Sequence, residues 1–231
     1  MTILNWVEEY EHYSIVEQRT KLKLGSLLGC GAYGAVFSTN DESKVIKITS
    51  DHNELILASK VMDIRRADTR KGVGPSDYLS GLVFLFGIYD LPSTYVQKFD
   101  KDTNIYAIVR EAVTPVVNYS NYIPNYKNIY RILDKIHDAA ADFHSSSGNV
   151  HSYEDTEKYM RMVYELEEYC PYLATTFMEL VRYGIIMKDT HAGNVGVSIL
   201  DWGSDYRAPG ELVVFDLGFT PTSGDYDLEI K

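Results

Sequence analysis

The sequence predicts an α+β fold of two lobes, the first rich in β-strands and the second mostly helical. Between residues 21 and 112, short apolar segments alternate with turn residues, a pattern that is typical of strands. Beyond Pro115, apolar residues recur at three- and four-residue steps, which is typical of helices. The 231 residues are enough for one large domain or for two small lobes that share a core.

The first half is predicted to contain two helices and a series of short strands. Residues 1–20 are expected to form a helical extension, because Trp6, Tyr10 and Tyr13 recur at helical spacing. A second helix is expected over residues 53–68, before a loop rich in glycine. Strands are predicted at Leu22–Leu28, Ala35–Thr39, Lys44–Ile48, Tyr78–Tyr89 (with a break), Ser93–Phe99 and Ile105–Arg110.

The second half is predicted to contain three helices and two strands. The helices are expected at Tyr126–His144, Asp155–Tyr169 and Leu173–Tyr183, and the strands at Val195–Leu200 and Glu211–Phe215. A loop rich in Gly, Asp and Pro separates the two strands. The change of character places the boundary between the lobes near residues 110–115, so we expect lobes at 21–112 and 113–231.

The composition excludes several classes of protein. A formal net charge of −11 argues against general nucleic-acid binding, because phosphate contacts need clustered Lys and Arg. Cys30 and Cys170 cannot form a disulfide framework, and neither has a metal-ligand neighbour at useful spacing. No apolar run approaches the roughly 20 residues of a membrane span, and residues 1–20 lack the features of a secretory signal. We therefore expect a soluble cytoplasmic protein without a nucleic-acid or membrane partner.

A glycine-rich segment from Gly29 to Val36 fits the pattern G-x-G-x-x-G-x-V, with Gly31 and Gly34 as its other glycines. A flexible hairpin turn or a dinucleotide-binding loop could also contain this pattern. A dinucleotide fold requires a helix after the third glycine, whereas a β-like stretch and a turn follow here. The order strand, loop, strand therefore favours a loop whose backbone N–H groups approach nucleotide phosphates.

Lys47 lies in a short apolar strand, Val45–Ile48, just after this loop. Its position favours a phosphate-binding lysine over an exposed lysine at a sheet edge. Such a lysine needs a carboxylate from the next helix to orient it. Glu54 is the first candidate, although Asp51 and Glu54 also have the spacing of a capping box, and both interpretations stay open. Asp63, farther along the same helix, is the substitute.

Two further motifs lie late in the chain. The segment from Asp189 to Asn194 reads D-x-H-x-G-N, follows a predicted helix and precedes a predicted strand. The apolar strand that starts at Val213 ends in Asp-Leu-Gly, at Asp216 to Gly218. Either aspartate alone could be a turn residue, but four motifs in this order and in these local contexts argue against coincidence.

With these four motifs, the chain from about Leu24 to Gly218 resembles the protein-kinase-like superfamily. The D-x-H-x-G-N loop is similar to that of aminoglycoside and choline kinases, in which a histidine replaces the usual lysine. The compact layout resembles the early serine/threonine protein kinases of short-tailed bacteriophages. This resemblance implies a two-lobed protein-kinase-like fold with a β-rich N-lobe and a reduced, mostly helical C-lobe.

The resemblance also implies transfer of the ATP γ-phosphoryl group, with Mg²⁺ as the metal. Lys47 would then hold the phosphates, and Glu54 would orient Lys47. Asp189 would accept or orient the proton of the acceptor hydroxyl, while Asn194 and Asp216 would bind the metal.

Other implied roles are less fully specified by the motifs. Backbone groups near Glu111 and Ala112 would meet the adenine. His191 would either contact the transferring phosphoryl group or stiffen the loop, and both roles stay open. Met187 stands where typical kinases have a histidine before their loop, so the usual support of the loop is expected to be absent.

Only residues 219–231 follow Gly218, which leaves no room for the peptide-docking helices of a conventional protein kinase. We therefore expect any protein substrate to be held elsewhere, by the helices within residues 120–183 or by the loop Asp201–Gly210. The leading interpretation is a phage-type serine/threonine kinase that acts on host proteins in the host cytoplasm. The alternatives are a small-molecule phosphotransferase, which the D-x-H-x-G-N loop favours, and a kinase-like protein that binds and inhibits a host factor.

Overall fold

The computed structural model describes residues 3, 7, 10–31, 33–70, 79–96, 101–116, 123–145, 153–198, 211–217 and 219–221. Within these residues the fold is α+β, as the sequence predicts. The helices are α1 (Tyr10–Thr20), α2 (His52–Arg70), α3 (Tyr126–Ser145), α4 (Tyr153–Glu167) and α5 (Pro171–Arg182). The strands are β1 (Leu24–Cys30), β2 (Gly34–Thr39), β3 (Lys44–Thr49), β4 (Leu85–Val96), β5 (Lys101–Glu111), β6 (Val113–Pro115), β7 (Ile185–Met187), β8 (Val195–Ser198), β9 (Leu212–Val214) and β10 (Phe219–Pro221).

The strand pattern around Pro92 differs from the prediction. Instead of two strands separated after Tyr89, a single strand β4 runs from Leu85 to Val96, with a register irregularity between Leu91 and Thr94. Pro92 lies inside this irregularity, and β4 is an edge strand of its sheet, where a residue without an N–H donor is tolerated. The predicted start at Tyr78 lies outside the described residues, and Leu79–Gly81 form a turn before β4 begins at Leu85.

Contacts within the chain divide it into two compact units. The first comprises Met1–Ser76, Val83–Thr114 and Ser198–Glu211, and the second comprises Asp77–Leu82, Pro115–Val197 and Leu212–Lys231.

The first unit is built on an antiparallel sheet of five strands in the order β1-β2-β3-β5-β4. Side chains alternate between the two faces of a strand, so Ile46 and Ile48 of β3 share one face, while Lys47 lies on the other. Ile46 and Ile48 are fully buried in a cluster that includes Phe37 and Val16 of α1. Burying each of these isoleucines contributes about 1.5–3 kcal/mol.

Strand β3 is buried on both of its faces. Its residues from Val45 to Thr49 are all buried, and Glu54 from α2 contacts Lys47 on the face opposite the isoleucines. The face of β3 that carries the isoleucines therefore lies in the cluster that includes Val16 of α1, and α2 approaches the other face. Of the three aromatic residues that recur at helical spacing in residues 1–20, Trp6 and the side chain of Tyr10 lie outside the described part of the structure. The third, Tyr13, packs edge-on against Phe37, with ring centroids 6.2 Å apart.

The second unit has a helical core formed by α3, α4 and α5. Apolar residues from each helix are fully buried there, namely Ile132, Leu133, Ile136, Tyr159, Val163, Leu173 and Phe177. Burial raises the pKa of the Tyr159 phenol, which stays neutral. Lys135 of α3 and Glu165 of α4 form an ion pair at 2.8 Å at the partly exposed edge of this core.

Short strands also pair in the second unit, where β8 and β9 belong to a three-stranded sheet in the order β6-β8-β9. In this sheet, β8 pairs with β9 in antiparallel register, with Val195 opposite Val214. Strand β7 pairs with β10, with Met187 opposite Phe219. The sequence reading missed β7, a run of three buried apolar residues that periodicity cannot separate from a helix end. Among the described residues, no helix is both long and apolar enough to cross a membrane.

Candidate functional site

The glycine-rich segment forms the turn between β1 and β2, as predicted. Cys30 and Ala35 are the last paired residues of the two strands, and the N–H of Gly31 donates to the carbonyl of Gly34 at 2.9 Å. The carbonyl of Tyr33 accepts the N–H of Ser50 at 2.9 Å, which ties the end of the turn to the end of β3. Ala32 lies outside the described residues.

Packing explains the choice of glycine at only one of the three glycine positions of this turn. A Cβ at Gly34 would lie 2.8 Å from the carbonyl oxygen of Ile48, so packing of β2 against β3 requires the glycine. A Cβ at Gly29 or at Gly31 would meet no atom within 4 Å. Neither has a positive φ, the usual backbone reason for glycine. Packing within the described part of the chain therefore explains Gly34 alone, and Gly29 and Gly31 leave open space beside the backbone.

Lys47 and Glu54 form a buried ion pair. The Lys47 Nζ lies 2.7 Å from Glu54 Oε1, and the two side chains are only 11% and 3% exposed. Lys47 is held in the middle of the sheet, opposite Val36 on β2 and Ile108 on β5. The structure thus brings Val36, Lys47 and Glu54 together near the glycine-rich turn.

At the start of α2, Asp51 caps the helix, while the Glu54 side chain contacts Lys47 and does not complete a capping box. Asp51 Oδ1 accepts the N–H of Asn53 at 2.9 Å, so Asp51 caps the helix. The reciprocal half of a capping box is absent here, because the N–H of Asp51 donates to Thr49 Oγ1 at 3.0 Å. The Glu54 carboxylate is thereby available to Lys47. The substitute, Asp63, is exposed and lies 3.5 Å from Arg66 of the same helix.

Glu111 and Ala112, proposed to meet an adenine, lie at the end of β5. The N–H of Glu111 donates to the carbonyl of Phe84 at 2.8 Å, and that of Ala112 donates to the carbonyl of Ser43 at 2.9 Å. Both N–H groups are therefore already used within the chain, and contact of other backbone groups near these residues with an adenine stays a prediction. The Glu111 carboxylate is fully buried and accepts hydrogen bonds from the N–H of Phe84 and from the hydroxyl of Ser198.

In the second unit, the loop after β7 carries Asp189, His191 and Asn194. The amide nitrogen of Asn194 donates to the carbonyl of Asp189 at 3.0 Å, and the N–H of Asn194 donates to the carbonyl of His191 at 2.9 Å. Asp189 Oδ1 lies 3.8 Å from His191 Nε2. The Asp189 side chain is 46% exposed, so its carboxylate is held by a compact loop and still faces solvent.

Local hydrogen bonding sets the tautomer of His191. Its Nδ1 accepts the N–H of Gly193 at 3.0 Å, so Nδ1 carries no proton, and in the neutral ring Nε2 carries it. The Asn194 amide nitrogen, 3.3 Å from Nε2, is then a packing contact between two donors.

Asn194 and Asp216 stand at the same end of the β8–β9 hairpin. Asn194 immediately precedes β8, and the N–H of Phe215 donates to the carbonyl of Asn194 at 2.9 Å. Because the Asn194 amide nitrogen is directed to Asp189, its amide oxygen is on the opposite side. One amide oxygen and one carboxylate fit Mg²⁺, which takes few protein ligands and completes its shell with water and phosphate oxygens. Gly218 lies outside the described residues.

The sequence reading missed His137, a residue of α3 that contacts this loop. His137 Nδ1 lies 2.6 Å from the carbonyl oxygen of Lys188 and 3.9 Å from Asp189 Oδ1. Its ring also packs edge-on against that of His191, with centroids 5.6 Å apart. Met187 does not supply a histidine to the loop, and a histidine of α3, 51 residues before Lys188 in the sequence, contacts the loop instead.

No protein-family model matches the chain, and no curated protein matches it closely enough to count. Within the described ranges, no group of three or more His, Cys, Asp or Glu side chains is arranged to hold a metal ion.

Proposed function

We propose that this protein is a Mg²⁺- and ATP-dependent phosphotransferase with a two-lobed protein-kinase-like fold. In this proposal, the two compact units correspond to a β-rich N-lobe and a reduced C-lobe. Lys47 binds the ATP phosphates, and Asp189 positions the acceptor hydroxyl. Asn194 and Asp216 hold Mg²⁺, which when bound would neutralise the charge of the phosphates.

The observation that carries the proposal is the buried ion pair of Lys47 and Glu54, at 2.7 Å. Removing two charges from water costs several kcal/mol per ion, and apolar residues of similar volume often stabilise a core equally well. A buried pair is therefore poorly explained by stability alone. A lysine that is held rigid beside a glycine-rich turn is suited to binding phosphate oxygens as a fixed positive charge.

The glycine-rich turn supports the same role. Gly29 and Gly31 have open space where a Cβ would stand, and neither adopts a conformation that requires glycine. A backbone without Cβ atoms lets an anion approach the N–H groups closely. These two glycines are thus accounted for if phosphates lie against the turn.

The loop from Asp189 to Asn194 supports the chemical half of the proposal. Its backbone is fixed by internal hydrogen bonds, while the Asp189 carboxylate stays exposed to a substrate. Phosphoryl transfer depends mainly on positioning and on charge stabilisation, and a rigid loop with one accessible carboxylate meets that need. His191, with its proton on Nε2, could donate a hydrogen bond to a phosphoryl oxygen.

We propose serine and threonine hydroxyls of host proteins as acceptors, in the cytoplasm of a bacterial host. The support is the similarity of the motif layout to the early kinases of short-tailed bacteriophages. A second candidate is a small-molecule phosphotransferase, which the histidine of the D-x-H-x-G-N loop favours.

The test compares phosphopeptides by mass spectrometry in bacterial cells that express the wild type, Asp189→Asn or Glu157→Gln. Asp189→Asn keeps the shape of an exposed side chain, so the protein should fold normally. Glu157→Gln is the matched control, because it removes an exposed carboxylate on α4. New phosphoserine or phosphothreonine sites should be present with the wild type and with Glu157→Gln, and absent with Asp189→Asn.

Purified protein separates the alternatives. If no protein sites are found but Asp189 is required for phosphorylation of a small hydroxyl compound from Mg²⁺-ATP, the small-molecule activity replaces the protein kinase. If the wild type neither binds Mg²⁺-ATP by calorimetry nor hydrolyses or transfers its γ-phosphoryl group, the proposed function is wrong.

A further inference from the structure

Helix α3 holds the backbone on both sides of Asp189. The carbonyl of Lys188, just before Asp189, lies 2.6 Å from His137 Nδ1. The hydroxyl of Thr190, just after Asp189, donates to the carbonyl of Leu133 at 3.2 Å and is fully buried. Leu133 and His137 are four residues apart and so lie on one face of the helix. The two residues that flank Asp189 are thus hydrogen-bonded to a single turn of α3, Lys188 through its carbonyl and Thr190 through its hydroxyl.

The contact with Lys188 fixes the proton on His137. A carbonyl oxygen can only accept, so Nδ1 of His137 must carry the hydrogen and donate it. The ring, held in this orientation, lies edge-on to His191 and 3.9 Å from Asp189 Oδ1. Replacing the ring would free the Lys188 carbonyl and would also remove the surface against which His191 packs.

We infer that His137 is a positioning residue for phosphoryl transfer: it fixes the Lys188–Asp189 peptide and the His191 ring, and thereby aims the Asp189 carboxylate. The inference rests on the proposed function. In it, His137 gives the loop the support that Met187 cannot give. His137 acts through Asp189 and His191 and need not touch the substrate itself.

A merely structural role for His137 would give a different order among its substitutions. In a helix interior, alanine is more favourable than glutamine, and glutamine is more favourable than asparagine. Stability should therefore fall in the order Ala, Gln, Asn. Asparagine, however, places an N–H donor near the position of the histidine Nδ1, whereas glutamine places it farther out and alanine has none. If positioning matters, activity follows the opposite order, with asparagine the best of the three.

The experiment measures kcat and KM for ATP in the wild type, His137→Asn, His137→Gln and His137→Ala, with Asp138→Asn as a control at the next, exposed position of α3. We expect His137→Ala to lower kcat roughly 10- to 100-fold, since small misplacements of a reacting group have effects of this size. KM for ATP should change less than about twofold, because the residues that His137 contacts, Asp189 and His191, are assigned to the transfer step, whereas Lys47 and the glycine-rich turn are assigned to ATP binding. His137→Asn should recover most of kcat, and Asp138→Asn should leave it unchanged.

A second measurement is independent of activity. In ¹H–¹⁵N spectra, His137→Ala should shift the backbone amide signals of Asp189 and Thr190, and His137→Asn should return them towards the wild type. The inference is overturned if Ala leaves these signals and kcat unchanged, or if Asn restores neither better than Gln. If the wild type transfers no phosphoryl group, the proposed function fails on that result, and the order of the amide shifts still decides whether His137 holds the loop.

Discussion

Replacing Glu54 by Gln should weaken both the folded state and nucleotide binding. The substitution keeps the size of the side chain but removes the charge that lies 2.7 Å from Lys47 Nζ. The Lys47 side chain is only 11% exposed, so its ammonium group would remain buried beside a neutral amide. Its orientation would then no longer be fixed by a charge.

The structure allows the size of the effect to be worked out. Breaking a buried ion pair by removing one partner costs about 3–5 kcal/mol. The amide oxygen of glutamine can still accept a hydrogen bond, so we expect the lower end, about 3 kcal/mol. For a chain of this length, 1 kcal/mol lowers Tm by about 2–4 °C, so Tm should fall by about 6–12 °C. Kd for Mg²⁺-ATP should rise about tenfold, equivalent to about 1.4 kcal/mol.

Two further variants make this prediction specific. Asp63→Asn is the matched control, because the Asp63 side chain is 71% exposed and its pair with Arg66 should contribute less than about 1 kcal/mol. The double variant Lys47→Met with Glu54→Leu replaces the pair by apolar side chains, and its stability should return to within about 1 kcal/mol of the wild type while Mg²⁺-ATP binding is lost.

Tm is measured by thermal unfolding, monitored by circular dichroism. Kd for Mg²⁺-ATP is measured by titration calorimetry. The reasoning is refuted if Glu54→Gln lowers Tm no more than Asp63→Asn does. It is also refuted if the double variant binds Mg²⁺-ATP as well as the wild type.

Three other predictions follow from the first unit. Gly34→Ala should destabilise the fold by about 1–3 kcal/mol, since its Cβ would lie 2.8 Å from a backbone oxygen. Gly31→Ala should instead weaken Mg²⁺-ATP binding and leave Tm nearly unchanged. Equal Tm values for the two variants would contradict the packing argument. Cys30 is exposed, so iodoacetamide should modify it, and Mg²⁺-ATP should slow the reaction; equal rates with and without nucleotide would count against phosphates lying on this turn. The hydrogen bond from Lys44 lowers the pKa of Asp41 from 3.8 to about 2. The stability that this contact contributes is therefore present above pH 3.8 and is lost as the pH falls through about 2. In an NMR titration of the carboxyl carbon, Lys44→Met should move the pKa of Asp41 back towards 3.8.

Lys47 and Glu54 could be predicted as candidate partners because they are close in sequence. Lys47 and Glu54 lie on consecutive elements, β3 and α2, so the turn between them leaves few geometries. The spacing could not decide between capping and pairing at Glu54. That outcome depended on the Thr49 hydroxyl, which takes the N–H of Asp51 and so leaves the Glu54 carboxylate for Lys47.

The part that could not be predicted depends on contacts between distant segments. His137 reaches the loop from 51 residues away, and only the packing of α3 brings it there. A lone histidine within an amphipathic helix carries no signal in the sequence that separates it from an ordinary partly buried residue. The N–H groups of Glu111 and Ala112 are a similar case, because their acceptors, the carbonyls of Phe84 and Ser43, are set by tertiary structure.

The pairing of β8 with β9 has a consequence for how this protein can change during evolution. Asn194 and Asp216 flank a strand pair in which Val195 lies opposite Val214. The register of this pair fixes how far apart the backbones of the two residues lie. Apolar substitutions within the strand pair can alter its stability without moving either residue. A single-residue insertion in one strand would instead turn the side chains beyond it to the other face. We therefore expect homologous sequences to vary in residue type along β8 and β9 and to preserve the number of residues between each strand and its candidate metal ligand.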